Sequence, residues 1–323
     1  MRALSSNFRP YDWAISTAEA ARIAGVRTAD VLRFDANTAP SPPAAASPAA
    51  LSEALARVNG YPHGGYPELI ASIASYAGAE PESVVLGAGA DDLILLAARS
   101  FAGPGDRVAI LDEPTYPLYR VAAWLAGAEV GDETPAVTFC CRPHNPTGRL
   151  GPIPDARPLV VDEAYFEYAG ETAALLDGGV VVIRTLSKAF ALAGARVGYA
   201  LAHPDVAAEL NARQAPAPVS TLSAAVALAV LAEPPDLAPL LDERERLAGR
   251  LRELGLEPLP SATNFLYVPF ERSRELAGAL LAAGMVVRDY PDAVRITVLD
   301  RRANERLVAA LGRFLATPRP ARP

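Results

Sequence analysis

Cysteine is almost absent from the chain, and the two that occur, Cys140 and Cys141, are adjacent. Adjacent cysteines rarely form a structural disulfide, so nothing points to an oxidising compartment. Histidine is equally sparse. Three scattered residues offer no metal-binding constellation, and His63 and His144 read as loop residues. No apolar run reaches membrane-spanning length, and the opening text MRALSSNFRPYDWAIS lacks the apolar centre of a secretory leader. These absences lead to the expectation of a cytoplasmic protein. Basic residues are outnumbered, 30 against 37 acidic, for a net charge of −7. That balance disfavours non-specific binding to nucleic acid or to an anionic membrane. Lysine is scarce even within the basic set, most of which is arginine. Lys188 nevertheless sits between a Val/Ile run and an Ala-rich segment, where an ammonium is costly unless paired, neutralised or chemically used.

What is present describes a globular α/β protein. Apolar residues make up 51% of the chain and charged residues 21%, and 323 residues suffice for one large and one small domain. The Pro/Ala/Ser text at 39–50 reads as a loop leading into a helix. Beyond it, SVVLGAG (83–89), RVAILDEP (107–114), AVTFCCRP (136–143), PLVVDEAY (158–165) and GVVVIRTLS (179–187) read as buried strands. Helical patterns at 91–102 and 116–127 separate the first of them. Uninterrupted Val/Ile/Leu runs divided by helices imply a parallel sheet covered on both faces. From about residue 236 the pattern changes to an amphipathic helix (236–255), strands at 263–270, 285–290 and 293–299, and helices at 272–283 and 301–316. That grouping implies a small α/β domain with an antiparallel sheet.

The polar motifs fall at the carboxyl ends of the expected strands, where ligands gather in such sheets. An Asp closing a buried strand, Asp162, can hold a protonated ring nitrogen. Lys188, kept largely neutral, can condense with an aldehyde. Thr185, Ser187 and Arg196 suit a phosphate, as does the strand-to-helix turn Gly87-Ala-Gly-Ala-Asp91 with its backbone N–H groups. Asn145 and Tyr165 can donate to a phenolate oxygen. An aldehyde, a ring nitrogen, a phenolate and a phosphate are the parts of pyridoxal 5′-phosphate.

In combination the motifs RFDANTAP, GYP (60–62), VLGAGADDLI, EPTYPLY, HNPTG, VVDEAYFEY, IRTLSKAFALAGARVGY, TNFLYV and VVRDYPDAVRITV resemble the fold-type I pyridoxal-phosphate aminotransferases, closest to the histidinol-phosphate aminotransferases. The likeness covers roughly residues 31–315. It implies a large domain over 35–232 whose mostly parallel sheet is sandwiched by helices, and a small C-terminal α/β domain over 233–316. Residues 1–34 would pack on the small domain or a partner subunit, and 317–323 would form a disordered tail. By the resemblance, Lys188 is the cofactor-bonding lysine and Asp162 the partner of the pyridine nitrogen. Asn145 and Tyr165 bind the ring oxygen, Tyr116 stacks on the ring, and Ala90, Asp91, Thr185, Ser187 and Arg196 hold the phosphate. Tyr61 reaches the phosphate of the neighbouring subunit, which implies a homodimer with shared active sites. Arg295 is the clamp for the substrate α-carboxylate, while Arg288 and Asn37 lie near the substrate's distal end, Arg288 as a candidate for a substrate phosphate. The residues Tyr66, Tyr119 and Tyr168 read as packing or rim positions.

The implied reaction is ping-pong transfer of an amino group from an amino acid or a histidinol-phosphate-like amino-alcohol phosphate to a 2-oxo acid, with the Lys188 amine as general base. The alternative is a decarboxylase of the threonine-phosphate type. Two segments depart from the family. The text between Ala128 and the HNPTG strand is abbreviated, and the three prolines within 149–161 exclude a helix there, which implies a less covered sheet face. The family's ANENP reads Ala-Asn-Thr-Ala-Pro, and Leu299 replaces the glycine after RITV.

Overall fold

A computed structural model describes residues 8–11, 13–62, 64–174 and 178–316. The tail expected at 317–323, the first seven residues and His63 lie outside these. The chain forms two compact units. The first comprises Ser41–Asn145 and Leu150–Pro235, with residues 8–11; the second comprises residues 13–40, Pro146–Arg149 and 236–316. One division falls after Pro235, and the other after Pro40 rather than residue 34, because the backbone of Asn37 is bonded into the second unit as that of Phe34 is: Thr297 N donates to Phe34 O at 2.8 Å and Asn37 N to Thr297 Oγ1 at 2.9 Å.

Helix α1 (Thr17–Ala24) starts at Ser16, whose hydroxyl accepts from Glu19 N, and strand β1 (Leu32–Arg33) follows. The proline-rich loop leads into α2 (Pro48–Ala56) and then α3 (Pro67–Ala77). Next come β2 (Val84–Gly87), α4 (Ala90–Phe101), β3 (Arg107–Ile110), α5 (Leu118–Ala126) and a two-residue β4 (Glu129–Val130). Strands β5 (Val137–Cys141) and β6 (Leu159–Asp162) are followed by a single-turn α6 (Phe166–Ala169), β7 (Val180–Thr185) and β8 (Gly198–Leu201). Helices α7 (Pro204–Arg213) and α8 (Thr221–Ala232) complete the first unit.

Its sheet has the order β2-β8-β7-β6-β5-β3-β4, and β8 runs antiparallel to both neighbours. Alternation along each strand decides what every residue faces. Phe139, Cys141, Val160, Val181 and Ile183 enter one core with Leu93, Ile94, Tyr119 and Ala122 of α4 and α5. The residues between them look the other way. There Glu163 accepts from Arg184 Nε at 3.1 Å, Thr172 Oγ1 at 2.8 Å and Ala173 N at 2.6 Å, while the Arg184 guanidinium lies 3.5 Å from the Phe166 ring centroid. Both charges of that pair are buried, and each is hydrogen-bonded, as a buried ion pair requires.

Residues 149–158 carry no helix, as the prolines dictate. The expected loss of cover does not follow, since all five residues of β5 are buried. The loop is fastened instead by Arg142, whose Nε donates to Gly151 O at 2.8 Å and whose Nη2 pairs with Glu171 at 2.8 Å.

The second unit adds α9 (Ala238–Glu253), β9 (Phe265–Pro269), α10 (Ser273–Ala282), β10 (Met285–Val286), β11 (Arg288–Tyr290), β12 (Ala293–Thr297) and α11 (Arg301–Ala316). Strands β11-β12-β9 form an antiparallel sheet, and β1 pairs in parallel with β10. Leu266, Val268, Val294 and Ile296 pack against Leu247, Leu251, Leu307 and Leu311. Full burial of each such side chain contributes about 1.5–3 kcal/mol. Among the described residues no helix is long and apolar enough to cross a membrane.

Candidate active site

Asp162 ends β6 on the α5 side of the sheet, with little solvent access. Burial pushes its carboxyl up to about 6, and three effects oppose the shift: a hydrogen bond from Tyr119, another from the Ala164 backbone and the nearby charge of Lys188. Tyr119 Oη donates to Oδ2 at 2.6 Å and Ala164 N to Oδ1 at 3.0 Å. Lys188, half-buried beyond the end of β7, is the only lysine in the chain. Its Nζ lies 5.9 Å from the ring centroid of the buried Tyr165. Asn145 stands beyond β5, where its N–H donates to Cys141 Sγ at 3.4 Å and its carbonyl accepts from Thr115 Oγ1 at 3.0 Å.

The turn from β2 into α4 is built around close backbone approaches. Gly89 caps the helix with φ +84°, and a Cβ there would stand 2.4 Å from Arg196 Nη2. A Cβ on Gly198 would meet Gly89 C at 2.6 Å and Ala90 N at 2.7 Å, so only glycine lets β8 run this close to the helix start. Asp91 in the first turn accepts from Tyr116 Oη at 2.9 Å and from Arg196 Nη2 at 3.0 Å. Arg196 Nη1 donates to Ala193 O at 3.0 Å and to Ser187 Oγ at 3.4 Å, and Thr185 Oγ1 donates to Ser187 Oγ at 2.8 Å. Two hydroxyls, a guanidinium and the N-terminus of a twelve-residue helix are thus gathered in one place.

Ten of the expected residues therefore meet at the strand ends of the first unit: Ala90, Asp91, Tyr116, Asn145, Asp162, Tyr165, Thr185, Ser187, Lys188 and Arg196. Tyr61 does not join them; it is 83% exposed beside α2. In the second unit, Arg295 and Arg288 are cross-strand partners on one face of the sheet, with Tyr267 opposite Arg295 on the other side. Arg295 Nη2 donates to Asp35 O at 2.7 Å, and its guanidinium lies 5.2 Å from the Phe265 ring centroid. Asn37 joins the same face, accepting at Oδ1 from Thr297 Oγ1 at 3.1 Å.

Tyr119, expected to be a packing residue, is a hydrogen-bond donor to Asp162. The signal for it was the spacing Tyr116-Pro-Leu-Tyr119, which puts both rings on one side of a first helical turn. Their centroids are 5.7 Å apart with an interplanar angle of 83°, and the Tyr11 ring lies 6.4 Å from that of Tyr116.

The donor set suits pyridoxal 5′-phosphate in each part. A primary amine stands near a buried carboxylate held by donors from Tyr119 and Ala164, and the hydroxyls of Thr185 and Ser187, the Arg196 guanidinium and the start of α4 supply donors for a phosphate. The family "Aminotransferase class I and II" matches residues 29–135 and 132–311. A histidinol-phosphate aminotransferase of Moorella thermoacetica is 30% identical over 96% of this chain and 92% of its own length. One of Shewanella amazonensis is 35% identical over 79% and 83%. The crystal structure of histidinol-phosphate aminotransferase from Sinorhizobium meliloti in complex with pyridoxal-5′-phosphate superposes with a TM-score of 0.81 at 25% identity, over 96% of this chain and 98% of that one. A threonine-O-3-phosphate decarboxylase from Porphyromonas gingivalis, at 21% identity and a TM-score of 0.76, shares the fold. The chain belongs to the aminotransferase class I and II family, and it is a transaminase that uses pyridoxal 5′-phosphate.

Proposed function

We propose that the protein transfers the amino group of a histidinol-phosphate-like amino-alcohol phosphate to a 2-oxo acid, in two half-reactions of a ping-pong cycle. The observation that carries this reading is the placement of the sole lysine near Asp162, beside a cup of phosphate donors. When bound, the cofactor supplies an electron sink for charge left at the substrate Cα. Lys188 would hold the cofactor, and its amine would carry the proton between the substrate Cα and the cofactor C4′. Asp162 would keep the ring nitrogen protonated, Asn145 and Tyr165 would donate to the ring oxygen, and Tyr116 would cover the ring. Ala90, Asp91, Thr185, Ser187 and Arg196 form the phosphate cup. Arg295 holds a carboxylate, and Arg288 with Asn37 recognises the distal end of the donor. The relatives' substrate and the pair of guanidinium groups on one sheet face support an anionic donor.

The working form in this reading is a cytoplasmic homodimer in which Tyr61 completes the partner's phosphate site. Buried free thiols at Cys140 and Cys141 suit a reducing compartment. A groove of about 540 Å³, lined by Arg57, Tyr61, Tyr66, Leu69, Ala225 and Leu228, lies beside the exposed Leu55 and Val58 and supports an interface there.

Borohydride reduction of the cofactor-loaded protein tests the lysine. The expected result is one labelled peptide containing Lys188 and no visible band in Lys188→Ala; an unchanged band in that variant overturns the assignment. Spectral titration with histidinol phosphate and a panel of amino acids tests the donor. Conversion to the pyridoxamine form by histidinol phosphate supports the proposal, and carbon dioxide release without conversion identifies a decarboxylase.

A further inference from the structure

Tyr119 is fully buried, and its ring cannot swing freely. It stacks on Phe139 at 5.5 Å with an interplanar angle of 22°, and makes a T-shaped contact with Tyr116. From that clamped position its hydroxyl reaches Asp162 Oδ2 at 2.6 Å, a length typical of a charge-assisted O–H···O⁻ bond. With Oδ1 tied to Ala164 N, each carboxylate oxygen carries one fixed donor, and the plane of the group is set.

We propose that Tyr119 is a positioning residue of the transamination, fixing the Asp162 carboxylate in the orientation and charge state that a protonated ring nitrogen needs while propping the Tyr116 ring. The inference rests on the roles given above to Asp162 and Tyr116. Packing alone does not account for the hydroxyl. A phenylalanine would fill the same space against Phe139, whereas a buried phenol needs a partner. The effect on charge has a definite sign. Burial favours the neutral carboxyl, and a donor to the carboxylate opposes it. The titratable groups that interact with Asp162 are Asp91 from α4, Tyr116 and Tyr119 at the start of α5, Cys140 and Cys141 of β5 and Lys188 after β7.

Tyr119→Phe keeps the ring and deletes the donor. The dissociation constant of the cofactor from the apoenzyme is expected to rise by about ten- to a hundredfold, the range for losing a hydrogen bond to a charged group. In the cofactor-free protein the Asp162 carboxyl, followed by ¹³C NMR with labelled aspartate, titrates at higher pH than in the wild type. With cofactor bound, kcat falls while KM for the donor changes little. Incorporation of 3-fluorotyrosine at position 119, a stronger donor of nearly the same shape, moves the carboxyl midpoint the other way. A merely structural residue would not produce these opposite shifts. Wild-type affinity and midpoint in Tyr119→Phe, alongside weakened cofactor binding in Asp162→Asn, overturn the proposal. Wild-type affinity in Asp162→Asn removes the reading of Asp162 itself, and the proposal with it.

Discussion

Arg288 and Arg295 stand directly opposite each other in the antiparallel pairing of β11 with β12, so two guanidinium groups share one face of a three-stranded sheet. Like charges opposed across strands disfavour the empty sheet by about 0.2–1 kcal/mol, and a bound anion relieves the repulsion. Arg288→Ala is therefore expected to raise KM for a phosphorylated donor by about tenfold or more, the effect of losing a charged hydrogen bond, without lowering the melting temperature of the apoenzyme. Arg295→Ala raises KM for carboxylate substrates instead. Steady-state kinetics with phosphorylated and carboxylate donors separates the two, and identical profiles for both variants would contradict the division of labour.

Arg196 gives a case in which binding and stability part company. Its ion pair with Asp91 is 45% exposed on both sides, and exposed pairs contribute about 0–1 kcal/mol to folding. A phosphate beside the same guanidinium, at a helix start, gains far more. Arg196→Ala is expected to leave the apoenzyme melting temperature within about 2 °C of wild type while weakening cofactor binding by about a hundredfold, at the upper end for charged hydrogen bonds. Calorimetry and absorbance titration measure the two quantities on the same sample.

Gly198 tolerates no side chain. A methyl group would press on the backbone of Gly89 and Ala90, and backbone cannot rotate away as a side-chain tip can. Gly198→Ala is expected to destabilise the fold by about 1–3 kcal/mol and to deform the phosphate cup. Thermal unfolding of the apoenzyme reports the first effect and cofactor affinity the second. An alanine variant with both at wild-type values would show that the close approach is not rigid.

On the far face of the sheet the Glu167 carboxyl is sealed beside Arg184, Tyr76 and Tyr199, and burial raises it from an ordinary 4.5 to about 7. The folded state then keeps a proton that the unfolded chain releases over that interval, so stability falls as pH rises from about 4.5 to 7 and levels off above. Glu167→Gln should remove this component, worth at most about 3 kcal/mol by the usual conversion of a pKa shift. Urea unfolding at a series of pH values checks it. A slope identical to wild type in the variant would assign the titration elsewhere.

Leu55 and Val58 expose more than half of their surface beside the groove at α2. If a second copy covers them, Val58→Glu places a charge where water is excluded. Sedimentation is expected to show a shift from dimer to monomer, with loss of the phosphate contact attributed to Tyr61. A dimer unaltered in Val58→Glu and Leu55→Glu would move the interface to another face.

Much of the first unit was legible in the chain because its strands are continuous Val/Ile/Leu runs, and because the chemistry sits where those runs end. Asp162, Thr185 and Lys188 stand out for this reason. Strand β8 was not legible. It is four residues long, and its pairing with β2 brings together residues more than a hundred positions apart. Tyr119 packs in the core as expected, but its hydrogen bond was not legible either. Its helical spacing from Tyr116 is visible in the sequence, but the bond to Asp162 depends on how α5 packs across the sheet. The loop at 149–158 shows a third kind of gap. Its prolines foretell the missing helix, yet only Arg142 reveals what covers the strand instead.

The alternation at the end of β6 has a consequence for which changes this chain can survive. Asp162 and its neighbour Glu163 point to opposite faces, one toward Lys188 and the other toward Arg184, whose own neighbour Thr185 points back toward Ser187. Removing one residue within β6 or β7 would exchange these faces, turning the structural acid inward and the functional one outward. Deletions in the connections leave the register alone. The chain can therefore change length between its strands, but it cannot slip along them by a single step.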